Sequence, residues 1–198
     1  EYALIALGLA IVFSIMGLVN FAHGEVIAFG GYSMIIVATL LTANPWVLMI
    51  GVLAFCVLAS VVLERVAFRT VRRADLTTGL LTAFGVSIVL QNLFLLLGSP
   101  RPMAATQFIF LDQTLTFGNI RVSSLQIYET GATIIAIGLL MLFLRKTTLG
   151  VAMRAAALAF EMVRLCGIRA NRVIAGAFAI SGLLAGLACI FIMARRGS

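Results

Sequence analysis

The chain has 198 residues, of which 63% are hydrophobic and 11% charged, with a mean hydropathy of +1.17. Soluble domains carry about 25% charged residues, so there is too little polar surface here to coat a water-soluble globule. Disorder is excluded as well, because it needs low hydrophobicity and high charge. A balance of 14 basic against 7 acidic residues gives a net charge of +7 and a pI near 10.4. The basic residues sit in short loops between apolar runs, a pattern that orients a membrane protein and does not suggest a nucleic-acid binder.

Taken in chain order, the apolar stretches are Tyr2–Val19, Val26–Ala43, Trp46–Leu63, Leu76–Leu97, Ile127–Leu144 and Val173–Ala194. Each is long enough to cross a hydrocarbon layer as a helix. Pro45, Pro100 and Pro102 all fall at breaks, where a missing N–H does no harm. Lipid offers no water to backbone groups, and the alternation of a barrel is absent, so these runs are predicted helices. The fold class is all-α: a polytopic transmembrane bundle of about six spanning helices plus a short cytoplasmic helix.

The loops set the orientation. Residues 64–75 and 145–172 hold ten of the 14 basic residues, and two spans separate these loops, so both face one side. The positive-inside rule makes that side the cytoplasm. Loop 98–126 is then extracytoplasmic, with a β-like stretch at Thr106–Leu111, and both chain ends face outward. Arg195 and Arg196 at the outer end run against the rule.

Polar residues within apolar regions are costly and so mark candidate functional positions. The densest group is Asn20-Phe-Ala-His-Gly-Glu25, which breaks the first two spans. Two structures fit it: a cytoplasmic hairpin turn, favoured by loop parity, or a break inside the membrane lined by polar groups. A zinc role for His23 and Glu25 lacks the other ligands of the known signatures. Gln91 and Asn92 lie near the outer end of the fourth span; adjacent on a helix, they project about 100° apart, so only one faces a given cavity. Glu129 is expected to start the fifth span, complementing the helix dipole. Gly182-Leu-Leu-Ala-Gly186 is a small-xxx-small packing motif, expected within the chain.

Cys56, Cys166 and Cys189 give neither a disulfide framework nor metal spacing. There is no phosphate-binding loop, nucleophile elbow or carboxylate pair. No enzyme activity, metal or cofactor is expected of this chain.

Gly150–Ile168 reads as one short helix ended by Gly167, with Arg154, Glu161 and Arg164 on one face and apolar residues elsewhere. It is too polar to span and too apolar to stand free, so it is predicted to rest on the membrane interface or in a groove of a soluble partner.

These segments together resemble the permease subunits of ABC importers for branched-chain amino acids. The resemblance is carried by Tyr2–Gly8, Gly17–Glu25, Glu64–Arg72, Ser87–Asn92, Leu149–Ala155 and Leu165–Ile168, followed by Arg172-Val173. Phe21 separates the chain from the related urea-type branch, which usually has Met there.

The resemblance implies a single permease domain over residues 1–198 in a bacterial inner membrane. It implies a second permease subunit, two cytoplasmic ATP-binding subunits that hydrolyse ATP, and an extracytoplasmic binding protein delivering leucine, isoleucine or valine. Asn20, His23, Glu25, Gln91 and Asn92 would border the pathway or its gates. Residues 150–168 would be the coupling helix that meets the ATPase, through Arg154, Ala155, Glu161, Arg164, Leu165, Gly167 and Ile168. Leu158 and Ala159 stand where the family commonly has Glu-Asp. The likeness fades after Leu187, so the chain is expected to lack the family's C-terminal third. A urea or amide permease and a non-transporting remnant are the alternative readings.

Overall fold

The computed structural model describes residues 1–40, 44–71, 75–97, 114–117 and 120–196. The helices are α1 Tyr2–Met16, α2 His23–Leu40, α3 Pro45–Leu63, α4 Leu76–Leu97, α5 Ser124–Lys146, α6 Thr148–Leu158, α7 Phe160–Leu165 and α8 Ala170–Arg196. A π-helical turn, Glu64–Phe68, and the single turn Arg69–Val71 prolong α3. A short antiparallel hairpin, β1 Thr114–Phe117 and β2 Ile120–Ser123, precedes α5, pairing Thr114 with Ser123 and Phe117 with Ile120. The stretch Thr106–Leu111 lies outside the described residues.

Helix ends follow local chemistry. Gly17 stops α1 by adopting φ 67°, a left-handed conformation that glycine takes without a Cβ penalty, while its N–H bonds to the Phe13 carbonyl. Asn44 caps α3 by accepting from the Trp46 N–H at 3.1 Å, with Pro45 in the first helical position. Ser123 caps α5 by accepting from the Leu125 N–H. Arg145 and Lys146 occupy the last turn of α5, where cations complement the dipole.

Four of these rods have the length and apolarity to cross a bilayer: Pro45–Val71, Thr77–Leu96, Ser124–Lys146 and Ala170–Arg195. The first apolar stretch behaves differently from the expectation of an independent span. With 15 residues, α1 is about 22 Å long, short of a hydrocarbon layer of about 30 Å.

The central rod is α8, with 61% of its apolar window buried inside the bundle. It packs against α1, α2, α3 and α6. One apolar cluster gathers Phe68, Met153, Val173, Ile174 and Phe178 at the end that carries the basic loops. A second gathers Val26, Met34, Val52, Cys56 and Cys189 toward the opposite end. By contrast, only 6% of the apolar window of α5 is buried, although Ala136, Leu140, Phe143 and Leu144 pack partly on the core.

The α3–α8 crossing is close because glycine lines it. A Cβ at Gly182 would lie 2.6 Å from the Cys56 carbonyl oxygen, and one at Gly186 would lie 3.0 Å from a Leu53 methyl. With backbones that near, Ser60 Oγ donates to the Phe178 carbonyl at 2.6 Å across the same interface.

The loop expected as one helix from Gly150 to Ile168 is two. Its first part starts earlier, with Thr147 Oγ1 accepting from the Gly150 N–H at 3.0 Å. Gly150 therefore lies inside α6, where a Cβ would run into the Phe143 carbonyl and the Leu144 backbone. At Ala159 the backbone takes φ −153° and ψ 84°, which ends α6 and separates it from α7. Arg154 is thus on a different helix from Glu161 and Arg164. Gly167 has φ 77°, and the Ile168 N–H reaches the Val163 carbonyl, the 6→1 bond of a Schellman cap closing α7.

Candidate functional site: a polar seam at the start of α2

Residues 17–22 do not make a simple turn at the basic surface. Leu18 packs on Gly79, in the first turn of α4, while Glu25 reaches Ser87 at that helix's midpoint. Between those two levels the chain climbs about 12 Å, eight residues of helical rise. The break therefore enters from the basic end and delivers the N-terminus of α2 to mid-depth. This is the second of the two structures open to the sequence, and loop parity had favoured the first. Parity counts crossings and is blind to how deep a connection intrudes.

Asn20 is buried, with Oδ1 accepting from the Ala22 N–H at 3.1 Å and its carbonyl accepting from the His23 N–H. This Asx-type turn satisfies backbone groups that would otherwise be stranded in an apolar setting. His23 is 4% exposed, and its Nδ1 shares a 3.2 Å hydrogen bond with Ser181 Oγ, near the middle of α8. The ring lies flush on Gly8 of α1. His23 is thus a packed tie between α1, α2 and α8.

Glu25 points the other way, toward α4. Its Oε1 accepts from Gln91 Nε2 at 2.8 Å and from Ser87 Oγ at 3.1 Å, and Gln91 also approaches Ser87 at 3.4 Å. Gln91 and Ser87 are one turn apart on one face of α4. Aromatic rings flank this seam: Phe21 meets Phe84 edge-on at 6.3 Å, and Tyr32 stacks on Phe94 at 5.2 Å, with Phe29 beside it. Asn92 is not part of the group, because its Nδ2 donates to its own helix at the Ile88 carbonyl.

The five sequence candidates therefore divide. Glu25 and Gln91 meet directly, Asn20 and His23 are buried beside them in the turn, and Asn92 stands apart. Ser87 and Ser181 complete the contacts and were not singled out as site residues. A hydroxyl midway along an apolar helix was the available signal for both.

At the opposite end of the bundle, Arg195 Nη1 lies 3.0 Å from Glu1 Oε1 and its Nη2 lies 2.7 Å from Glu129 Oε2. Glu129 is buried in the second turn of α5, because the helix starts at Ser124. It is an ion-pair partner and not the first-turn dipole carboxylate expected from the sequence. The pairing also accounts for Arg195 at the end that the loop charges leave poor in cations.

At the basic end, a cleft of about 470 Å³ opens between α6 and the start of α8, bordered by Thr148, Leu149, Ile168, Arg169 and Arg172. Of the residues expected to couple to an ATPase, Arg154, Leu165, Gly167 and Ile168 are exposed, and Ala155 is half-buried. The side chains of Glu161 and Arg164 lie outside the described set. Leu158 and Leu165 are 90% and 82% exposed, an apolar pair left largely uncovered by the described residues. No group of three or more His, Cys, Asp or Glu side chains suited to a metal occurs among the described residues.

Long apolar rods, a small-residue helix crossing and a polar connection that climbs to mid-depth define a multi-pass membrane protein. The profile of the family described as the branched-chain amino acid transport system permease component matches residues 1–198, and the chain belongs to that family. It is 33% identical over 209 residues to the high-affinity branched-chain amino acid transport system permease protein BraD of Pseudomonas aeruginosa, covering 99% of this chain and 67% of that protein. It is 35% identical to the permease protein LivH of Escherichia coli K12 over 203 residues, covering 96% of this chain and 66% of the relative. The LivH of Salmonella typhimurium is 34% identical over the same length. The chain thus spans about two thirds of the length of these relatives. No solved structure matches it.

Proposed function

We propose that this chain forms part of the translocation pathway of an ATP-driven importer for leucine, isoleucine and valine in a bacterial inner membrane. The observation that carries the reading is the Glu25–Ser87–Gln91 group. It sits at the midpoint of α4, yet Gln91 is exposed on the surface of the chain. A carboxylate and an amide at that depth are too costly to leave in lipid. Their open side faces a pathway shared with a second permease subunit. The names of the relatives support branched-chain amino acids as the cargo and argue against the urea and remnant readings.

The basic end then faces the cytoplasm. There α6 and α7, with exposed Leu158, Met162 and Leu165, meet one of two ATP-binding subunits, which carry out the hydrolysis. The family is a transport component, and the chain's own part is to open and close the path. An extracytoplasmic binding protein delivers the amino acid at the opposite end. Asn20 and His23 hold the turn that positions Glu25, and Asn92 borders the outer side of the path.

The test is ATP-dependent uptake of labelled leucine by the assembled importer in proteoliposomes, with Asn20, His23, Glu25, Gln91 and Asn92 each changed to Ala. Reduced uptake in the Glu25 and Gln91 variants is expected; unchanged rates in all five would remove the pathway reading. Cysteines placed at Leu158 and Leu165 should crosslink to the ATP-binding subunit. Capture of lipid alone would remove the coupling reading.

A further inference from the structure

The Glu25 carboxylate is held in place by hydrogen bonds from uncharged groups. Both of its hydrogen-bond donors, Ser87 and Gln91, are uncharged, and both bond to Oε1. No Lys, Arg or His among the described residues forms an ion pair with it, and Oε2 is left uncommitted. The amides of the first turn of α2 contribute a partial positive charge, as any helix start does. A carboxylate at this depth, where such groups usually pair with cations, thus has only uncharged partners among the described residues.

Resting on the pathway reading above, we propose that Glu25 Oε2 is the subsite for the α-ammonium group of the passing amino acid. The surrounding chemistry selects an ammonium over a metal ion. Metal cations of this size range want a shell of about six oxygens, whereas Gln91 turns its NH₂ toward the site and so occupies it with a donor. An ammonium brings three N–H donors, of which Oε2 accepts one, and aromatic rings nearby attract its charge. Ring pairs lie on either side of the carboxylate along α2 and α4: Phe21 and Phe84 toward the basic end, Phe29, Tyr32 and Phe94 toward the other. The same rings give a branched aliphatic side chain an apolar contact while the charged end is held. Gln91 and Ser87 are positioning residues: by fixing Oε1 they aim Oε2 at the open side.

The test uses Glu25→Gln in the complete importer. Gln is isosteric and still offers Oε1 to Ser87 and Gln91, so a purely structural role survives the change and a charge-recognition role does not. Leucine uptake is expected to fall roughly 10- to 100-fold, the loss typical of one charge-assisted hydrogen bond. The melting temperature of the assembly should be unchanged, and Glu25→Asp should recover part of the uptake. Uptake by Glu25→Gln equal to that of the unsubstituted protein would overturn the proposal.

A second measurement needs no variant. Dicyclohexylcarbodiimide labelling of Glu25, read by mass spectrometry, should be blocked by leucine and not by 2-hydroxy-4-methylpentanoate, which keeps the skeleton and lacks the ammonium. Equal shielding by both compounds would overturn the subsite. An unsubstituted importer that moves no leucine with ATP would instead overturn the pathway reading beneath it.

Discussion

The imidazole of His23 covers Gly8 so closely that a Cβ on residue 8 would fall 2.8 Å from Cε1 and 2.9 Å from Nε2. Because His23 also holds Ser181, the contact fixes the start of α2 against α1 and α8 together. Gly8→Ala is expected to displace the ring and cost about 1–3 kcal/mol, the range for overpacking a filled site. Ser181→Ala leaves the ring nitrogen without its hydroxyl and should cost a similar 1–3 kcal/mol. Thermal unfolding of the detergent-solubilised protein measures both, and wild-type stability in both variants would contradict the packing described.

The α3–α8 crossing predicts a graded series. Gly182→Ala puts a methyl 2.6 Å from the Cys56 carbonyl and 2.7 Å from Ser60 Cβ, so backbones have to separate. Gly186→Ala meets nothing nearer than a Leu53 methyl at 3.0 Å, the far end of a flexible side chain, with Cys56 Cβ and Leu53 Cα at 3.3 Å. The first substitution should lower stability by about 1–3 kcal/mol and the second by less. The reverse order in unfolding measurements would place the tight point of the crossing elsewhere.

The charged end of the bundle should respond as a coupled unit. Arg195→Ala strips the guanidinium from Glu1 and Glu129, whose side chains are 10% and 9% exposed. Removing one partner of a buried pair costs about 3–5 kcal/mol, and because Arg195 itself is half exposed the lower end applies. Glu129→Gln in the same chain should return part of the loss. A double-mutant cycle gives the coupling directly, and simple additivity would show that the pair is idle.

Thr147 bridges two helices. It donates to the Phe143 carbonyl at 2.8 Å and accepts from the Gly150 N–H at 3.0 Å. Thr147→Ala should cost about 0.5–2 kcal/mol through the lost cap. The effect should be local, seen as faster amide hydrogen exchange in the first turn of α6 with the core of α8 still protected. Uniform acceleration throughout the chain would argue against a purely local cap at this residue.

Most of the helical architecture was legible from apolar run length, because lipid enforces backbone pairing wherever the side chains are greasy. What was not legible turned on single residues. Ala159 interrupts the loop helix although alanine is the best helix former, so intrinsic propensity gives no hint of that break. Glu129 was misassigned because a three-residue extension of α5 back to its Ser123 cap moves it from the first turn to a buried ion pair. Gly167 was readable as a cap, because only glycine takes φ 77° there without strain. Within the polar seam, Glu25 and Gln91 stood out as costly side chains. That they touch each other while Asn92 bonds only to its own helix depends on how α2 and α4 are rotated, which a single sequence does not encode.

The kink at Ala159 has a consequence for packing. Because α7 is a separate stub, the contact of this loop with α8 is made chiefly by α6. That rod bears on α8 where Met153 and Leu149 crowd Gly176. A Cβ at that glycine would lie 2.7 Å from a Leu149 methyl and 2.8 Å from the Met153 terminus, so the two rods mesh like a tooth in a notch. The same α8 grips His23 one and a half turns further along. One rod, α8, thus touches both the loop helix and the start of α2, so the two share a single packing partner.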